Sequence, residues 1–144
     1  GNLHALLGEP EAALARYDLA IRLAPHAIPA YVNRADLLRT LGREGEAEAS
    51  LRDALARAPG SADVHYALGL SLVRQKRMPE AVSALARATA LAPERSRYAV
   101  AYVLALRAVG EDARAARVLA EARARRPGDP EIAALASPEG EGVP

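Results

Sequence analysis

The chain has 144 residues, enough for one domain with its own core; 51% of them are hydrophobic but only 3% aromatic. Its formal net charge is +1, so no large uniform field draws it to nucleic acid or a membrane surface. It has no cysteine, which removes disulfides, thiolate metal sites and thiol nucleophiles together and leaves cytoplasm and periplasm equally open.

The apolar mass is alanine and leucine, both good helix formers, while the β-branched and aromatic residues that strands favour are scarce. An all-α protein is expected. Of 19 basic residues only Lys76 is a lysine, and such Arg- and Ala-rich usage points to a GC-rich bacterial genome. No apolar stretch approaches the roughly 20 residues that span a bilayer, and no signal peptide is visible.

In chain order, helices are expected at about 2–7, 11–24, 29–41, 45–57, 62–75, 79–91, 96–109 and 112–125, with a short closing helix at 130–136. Gly8, Gly42 and Gly110 each follow an apolar helical stretch, where a left-handed terminal residue costs glycine least. Pro10 and Pro79 sit where a helix begins, and a first-turn proline forfeits no helical hydrogen bond. Pro25, Pro59, Pro93 and Pro127 stop the helices before them, because proline disfavours helix in the preceding residue. Asp129, Pro130 and Glu131 read as a cap, a first-turn proline and an acid favoured by the helix dipole. Ile132 and Leu135 of that closing helix would face the last hairpin. Residues 137–144 are Gly-, Pro- and Glu-rich and are expected to be disordered.

The four proline stops are 34 residues apart, and other columns keep the same step. They are Ala13, Ala47, Ala81 and Ala115; Ala20, Ala54, Ala88 and Ala122; and the bulky series Tyr17, Leu51, Leu85 and Leu119. The glycine column is broken by Lys76. The alanine columns lie two turns apart on one face of the second helix, where small residues let a neighbouring helix approach closely. The bulky column falls one turn from the first alanine column on the same face and fills the remaining space.

This pattern resembles the tetratricopeptide repeat family over about residues 1–129. The signature is carried by Tyr31, Ala35, Leu38, Ala47, Leu51, Ala54 and Pro59, then by Leu68, Gly69, Leu72, Ala81, Leu85, Ala88 and Pro93. The last set is Tyr102, Leu106, Ala115, Leu119, Ala122 and Pro127. Arg34 replaces the usual leucine, His65 and Ala99 the usual large aromatic, and Val103 the usual small residue, which bears on local packing. Pentatricopeptide arrays have a similar period but lack this fixed proline and are more basic. The resemblance implies an α-solenoid of stacked antiparallel helical hairpins, a right-handed superhelix. Its divisions would be a partial repeat at 1–27, repeats at 28–61, 62–95 and 96–129, and the capping helix at 130–136. By register Gly1 matches Ala35 and Gly69, in mid-helix, so the expectation is a fragment of a longer protein. Leu3, Leu7 and Leu14 would then lack upstream cover.

The resemblance also implies that the first helices of the hairpins line a channel in which peptides lie. Helical spacing selects Asn33, Asp36, Tyr66, Leu70, Arg74, Arg97, Val100, Leu104 and Arg107 as the groove-lining candidates. The family's clamp for a C-terminal carboxylate is not reproduced. Asn2 and Asn33 occupy its asparagine positions, but Asp63 and Ala67 stand where a lysine and an arginine are needed. What is left is an apolar strip of Tyr66, Leu70, Val73, Val100 and Leu104 edged by Arg39, Arg74, Arg97 and Arg107. It suits an extended or helical peptide with apolar anchors and acidic side chains, which an arginine fork can grip bidentately.

Signals of catalysis are missing. His4, His26 and His65 have no metal-ligand spacing, and there is no phosphate loop, nucleophile elbow or dinucleotide fingerprint. Acidic pairs such as Glu46 with Glu48 lie near second-helix starts, where the dipole and solvent account for them. Residues 95–126 are arginine-rich, but Arg114, Arg117, Arg125 and Arg126, on or near the last second helix, have no aromatic interleaved among them to stack bases, so a solvated outer face is expected. No enzyme activity, cofactor, metal, nucleic-acid or membrane partner is expected. The leading expectation is a scaffold binding a protein or peptide in its concave groove. Its alternatives are a C-terminal array of a larger bacterial enzyme or multihaem cytochrome-type protein, and self-association through the exposed N-terminal hairpin.

Overall fold

The computed structural model describes residues 2–136, and side chains within residues 9–135. Expectations for residues 137–144, and for the side chains of Asn2, Leu3, His4 and Leu7, fall outside the described residues. Among the described residues, the chain forms α1 (Asn2–Leu23), α2 (Ile28–Thr40), α3 (Glu44–Arg57) and α4 (Ala62–Arg74). It continues with α5 (Met78–Leu91), α6 (Ser96–Ala108), α7 (Asp112–Arg125) and α8 (Pro130–Ala136). Each helix packs on its neighbours in sequence, and the molecule is an α-solenoid of antiparallel hairpins.

The turns within the hairpins are built alike. After α2 the N–H of Gly42 donates to Arg39 O at 2.9 Å and that of Arg43 to Leu38 O at 2.8 Å. Lys76 with Arg77, and Gly110 with Glu111, repeat the pair after α4 and α6. This motif satisfies the last carbonyls of a helix by placing one residue in the left-handed region. Accordingly φ is +76° at Gly42, +84° at Gly110 and +62° at Lys76, so the lysine that breaks the glycine column keeps the glycine's conformation. The proline stops are equally regular. Ala58, Ala92 and Arg126, each just before a proline, have φ near −139° and ψ near 72°, outside the helical region.

The first segment differs from expectation. No turn forms at Gly8; α1 runs unbroken from Asn2 to Leu23 with Pro10 inside it. A six-residue helix buries too little to offset the backbone groups that a turn opens, whereas straight continuation keeps most of them bonded. Leu14, expected to lack cover, is 5% exposed and belongs to the same core cluster as Tyr31 and Leu38.

The repeat columns form the spine. Ala47, Ala81 and Ala115 are buried, as are Ala54, Ala88 and Ala122, and Leu51, Leu85 and Leu119 beside them. Gly69 marks the tightest contact: a Cβ there would lie 2.6 Å from Leu85 Cδ2 and 2.7 Å from its Cγ. Fully buried Val103 fills the corresponding place in α6. At the far end Asp129 Oδ1 accepts the N–H groups of Glu131 (2.8 Å) and Ile132 (3.3 Å), capping α8, and Ile132 is 2% exposed.

Candidate functional site

The helices α2, α4 and α6 present one face to a shared side of the stack, where a groove of about 730 Å³ opens. Its floor is Val32, Ala35, Ala47, Leu51, Tyr66, Ala67 and Leu70. Asp36, Arg39, Asp63 and Arg74 supply polar edges, and Arg95, Arg97, Tyr98, Asp129 and Glu131 lie at the α6 end. Of the residues selected from sequence, Asp36, Tyr66, Leu70, Arg74 and Arg97 line this space together. Asn33, Val100, Leu104 and Arg107 do not. Asn33 is exposed, Val100 is half-buried against the α5–α8 core, Leu104 is 51% exposed, and Arg107 is exposed with Nη2 donating to Leu135 O at 3.4 Å.

The polar groups divide into committed and open ones. Arg74 donates to both Glu44 carboxylate oxygens at 3.0 Å, and Glu44 also accepts from Ser71 Oγ at 2.6 Å. The guanidinium of Arg74, with Ser71 beyond it, holds the Glu44 carboxyl below the usual range. Arg126 lies 3.4 Å from Asp129, which accepts from Ser96 Oγ at 2.6 Å. Arg39 and Arg97, in contrast, have no carboxylate within 4.0 Å among the described residues. An arginine without an internal partner keeps its donors for an incoming acceptor.

The tyrosines form a platform. The rings of Tyr66 and Tyr98 stack with centroids 4.5 Å apart, and the Arg95 guanidinium lies 5.5 Å from the Tyr98 ring centroid. Tyr98 donates its hydroxyl to Asp63, and burial together with that carboxylate pushes its pKa up to about 12. Burial also raises the Tyr66 pKa, against the neighbouring Arg97 cation. Both rings are therefore neutral at physiological pH. Sequence reasoning missed Tyr98, Arg95 and Glu131. Tyr98 had a signal: it stands in the column of Ala30 and Val64, an enlarged side chain where the other repeats are small. His65 is half-buried, with Nε2 bonded to Pro59 O at 2.8 Å, a place Tyr31 takes at Pro25 O in the preceding repeat.

Among the described residues no group of three or more His, Asp and Glu side chains is placed to hold a metal ion. No described helix is long and apolar enough to cross a membrane.

The family model described as tetratricopeptide repeat matches residues 1–62, 32–96 and 66–130. No curated protein sequence matches the chain. Among solved structures, MamA superposes with a TM-score of 0.75 at 22% identity, covering 96% of this chain and 82% of that one. MamA "41-end" from Desulfovibrio magneticus RS-1 gives 0.70 at 23% identity, over 87% and 71% of the two chains. YrrB, described as a TPR protein with an unusual peptide-binding site, gives 0.72 at 27% identity, over 91% of this chain and 68% of that one.

Proposed function

Because the chain belongs to the tetratricopeptide repeat family, we propose that it is an interaction scaffold that holds a peptide or protein segment in the groove over α2, α4 and α6. The observation that carries this reading is the open apolar floor around Leu70 and Ala67, edged by the uncommitted cations Arg39 and Arg97. Apolar anchors would seat on Leu70 and the Tyr66 face, and an acidic side chain would meet Arg39 or Arg97. The peptide-binding site described for YrrB supports the same use of such a surface.

The test is selection of linear peptides from a displayed random library, followed by affinity measurement on Leu70→Glu. The expected result is a loss of about tenfold or more, roughly 1.4 kcal/mol, with unchanged helical circular dichroism. Equal affinity for both chains would refute the assignment.

A second reading, self-association, rests on α1. Leu19 is 46% and Leu23 76% exposed, whereas the matching pairs of later hairpins are Asp53 and Arg57, Arg87 and Leu91, and Glu121 and Arg125, each with at least one charge. A second copy would cover these leucines. Light scattering over a concentration series should then show growth in mass that Leu23→Glu removes.

A further inference from the structure

At its α6 end the groove gathers three polar side chains that the fold does not pair. The Tyr66 hydroxyl has no hydrogen-bond partner among the described residues, although its ring is half-buried and held by stacking on Tyr98. Arg97, in the first turn of α6, and Glu131, in the first turn of α8, line the same space. Neither has an oppositely charged group within 4.0 Å among the described residues. Burial raises the Tyr66 pKa; the Arg97 cation lowers it and the Glu131 carboxylate raises it, so both charges act on the hydroxyl. The N–H of Glu131 donates to Asp129 Oδ1 at 2.8 Å, which fixes the backbone that carries the carboxylate.

The other charges at this end are engaged or add to Glu131. Asp63 accepts from the Tyr98 hydroxyl and has Arg95 at 3.9 Å, and Asp129 accepts from Ser96 and has Arg126 at 3.4 Å. Glu94 is exposed, with no cation within 4.0 Å among the described residues. Tyr66 and Arg97 thus offer donors and Glu131 offers acceptors, with no surplus of positive charge. A carboxylate would take the donors but stand beside Glu131 and Glu94; an ammonium would take Glu131 but stand beside Arg97. A primary carboxamide carries no charge and has a carbonyl for the donors and an NH2 for the acceptor. We propose that this corner is a subsite for the side-chain amide of a glutamine or asparagine in the bound segment, its carbonyl accepting from Tyr66 and Arg97 and its NH2 donating to Glu131. The assignment rests on the groove reading above and narrows it: an acidic side chain is left to Arg39.

The experiment selects peptides from a displayed random library on the whole 144-residue chain and keeps those whose binding falls with Leu70→Glu, since that dependence reports the groove itself. Among them one position should be enriched in Gln or Asn. The tightest peptide is then remade with Gln, Glu, Lys or Ala at that position. The Gln form should bind the native chain about fivefold or more tighter than the Ala form. Tyr66→Phe keeps the ring for Tyr98 but loses the hydroxyl; it should remove most of that advantage and leave the Ala form unaffected. Glu131→Gln should turn the preference from Gln to Glu, and Arg97→Gln should turn it to Lys, with helical circular dichroism unchanged. Leu70-dependent peptides with no Gln or Asn position overturn the proposal and leave the groove reading standing. An equal loss for the Gln and Ala forms in Tyr66→Phe also overturns it, by placing the peptide main chain at the hydroxyl, as does a preference that none of the three variants alters. If no selected peptide depends on Leu70, the groove reading falls and the subsite with it.

Discussion

Two backbone positions show how single residues set the tolerances of this array. Lys76 adopts φ +62° where its counterparts are Gly42 and Gly110, and a side chain in that region crowds the following carbonyl. Lys76→Gly should therefore stabilise the protein by about 1 kcal/mol, read as a raised midpoint in urea at unchanged slope. The opposite holds at Gly69. Alanine would favour the helix by about 1 kcal/mol, but its Cβ would lie under 3 Å from Leu85, whose side chain is fully buried and closed in. Overpacking of this kind costs about 1–3 kcal/mol. Gly69→Ala should thus be destabilising on balance, and a gain in the same urea measurement would show that α4 and α5 can separate cheaply.

Between elements, the hairpins are joined by a polar lattice as well as by their cores. Arg43 forks onto Glu46 at 2.8 Å and reaches back to Glu11 at 3.2 Å. Arg77 repeats the device one repeat later, forking onto Glu80 and reaching back to Glu48 at 2.6 Å. In the last hairpin the signs are exchanged to Glu111 and Arg114, and Arg114 instead lies 5.7 Å from the Tyr102 ring centroid. The hydrogen bond from Arg74 lowers the pKa of Glu44. At Glu48, partial burial raises it, but the bonds from Arg52, Arg77 and Gln75 outweigh that and leave it lowered. Those from Arg43 and Arg77 lower Glu46 and Glu80. A depressed carboxylate contributes stability that is present above its unfolded pKa and lost as pH falls through its folded one. Stability should accordingly begin to fall below the ordinary glutamate value of 4.5. Urea titrations at neutral and acid pH should show this loss, and it should be smaller in Glu44→Gln. No difference between the two chains would mean that the Glu44, Ser71 and Arg74 cluster is energetically silent.

At the scale of the molecule, the helices pack mainly on their neighbours in sequence, with smaller contacts between α4 and α6 and between α6 and α8, so damage should stay local. Ile132 of α8 is 2% exposed and sits with Leu106, Leu119 and Ala122 in the terminal core cluster. Ile132→Ala should cost about 2–4 kcal/mol there. Hydrogen exchange should show the loss of protection in α6, α7 and α8 while α2 and α3 keep theirs. A uniform loss along the chain would mean that the stack unfolds as one unit.

The repeat itself was legible in the residues: Pro59, Pro93 and Pro127, Ala47, Ala81 and Ala115, and the glycine column each report a local demand of the backbone or of close packing. Such demands act within a few residues and recur with the period, so from α2 onward spacing alone determined the hairpins, their approximate ends and the face that becomes core. Tertiary structure decided what depends on neighbours distant in sequence. It showed that α1 continues through Gly8 and Pro10, that Arg74 is committed to Glu44 while Arg39 and Arg97 are not, and that Tyr98 stacks on Tyr66. It also separated Asp36, Tyr66, Leu70, Arg74 and Arg97, which share one groove, from Leu104 and Arg107, which lie beyond it. A column shows which side chains share a face; which of them are already satisfied depends on partners some thirty residues away, at distances that only the stacked helices fix.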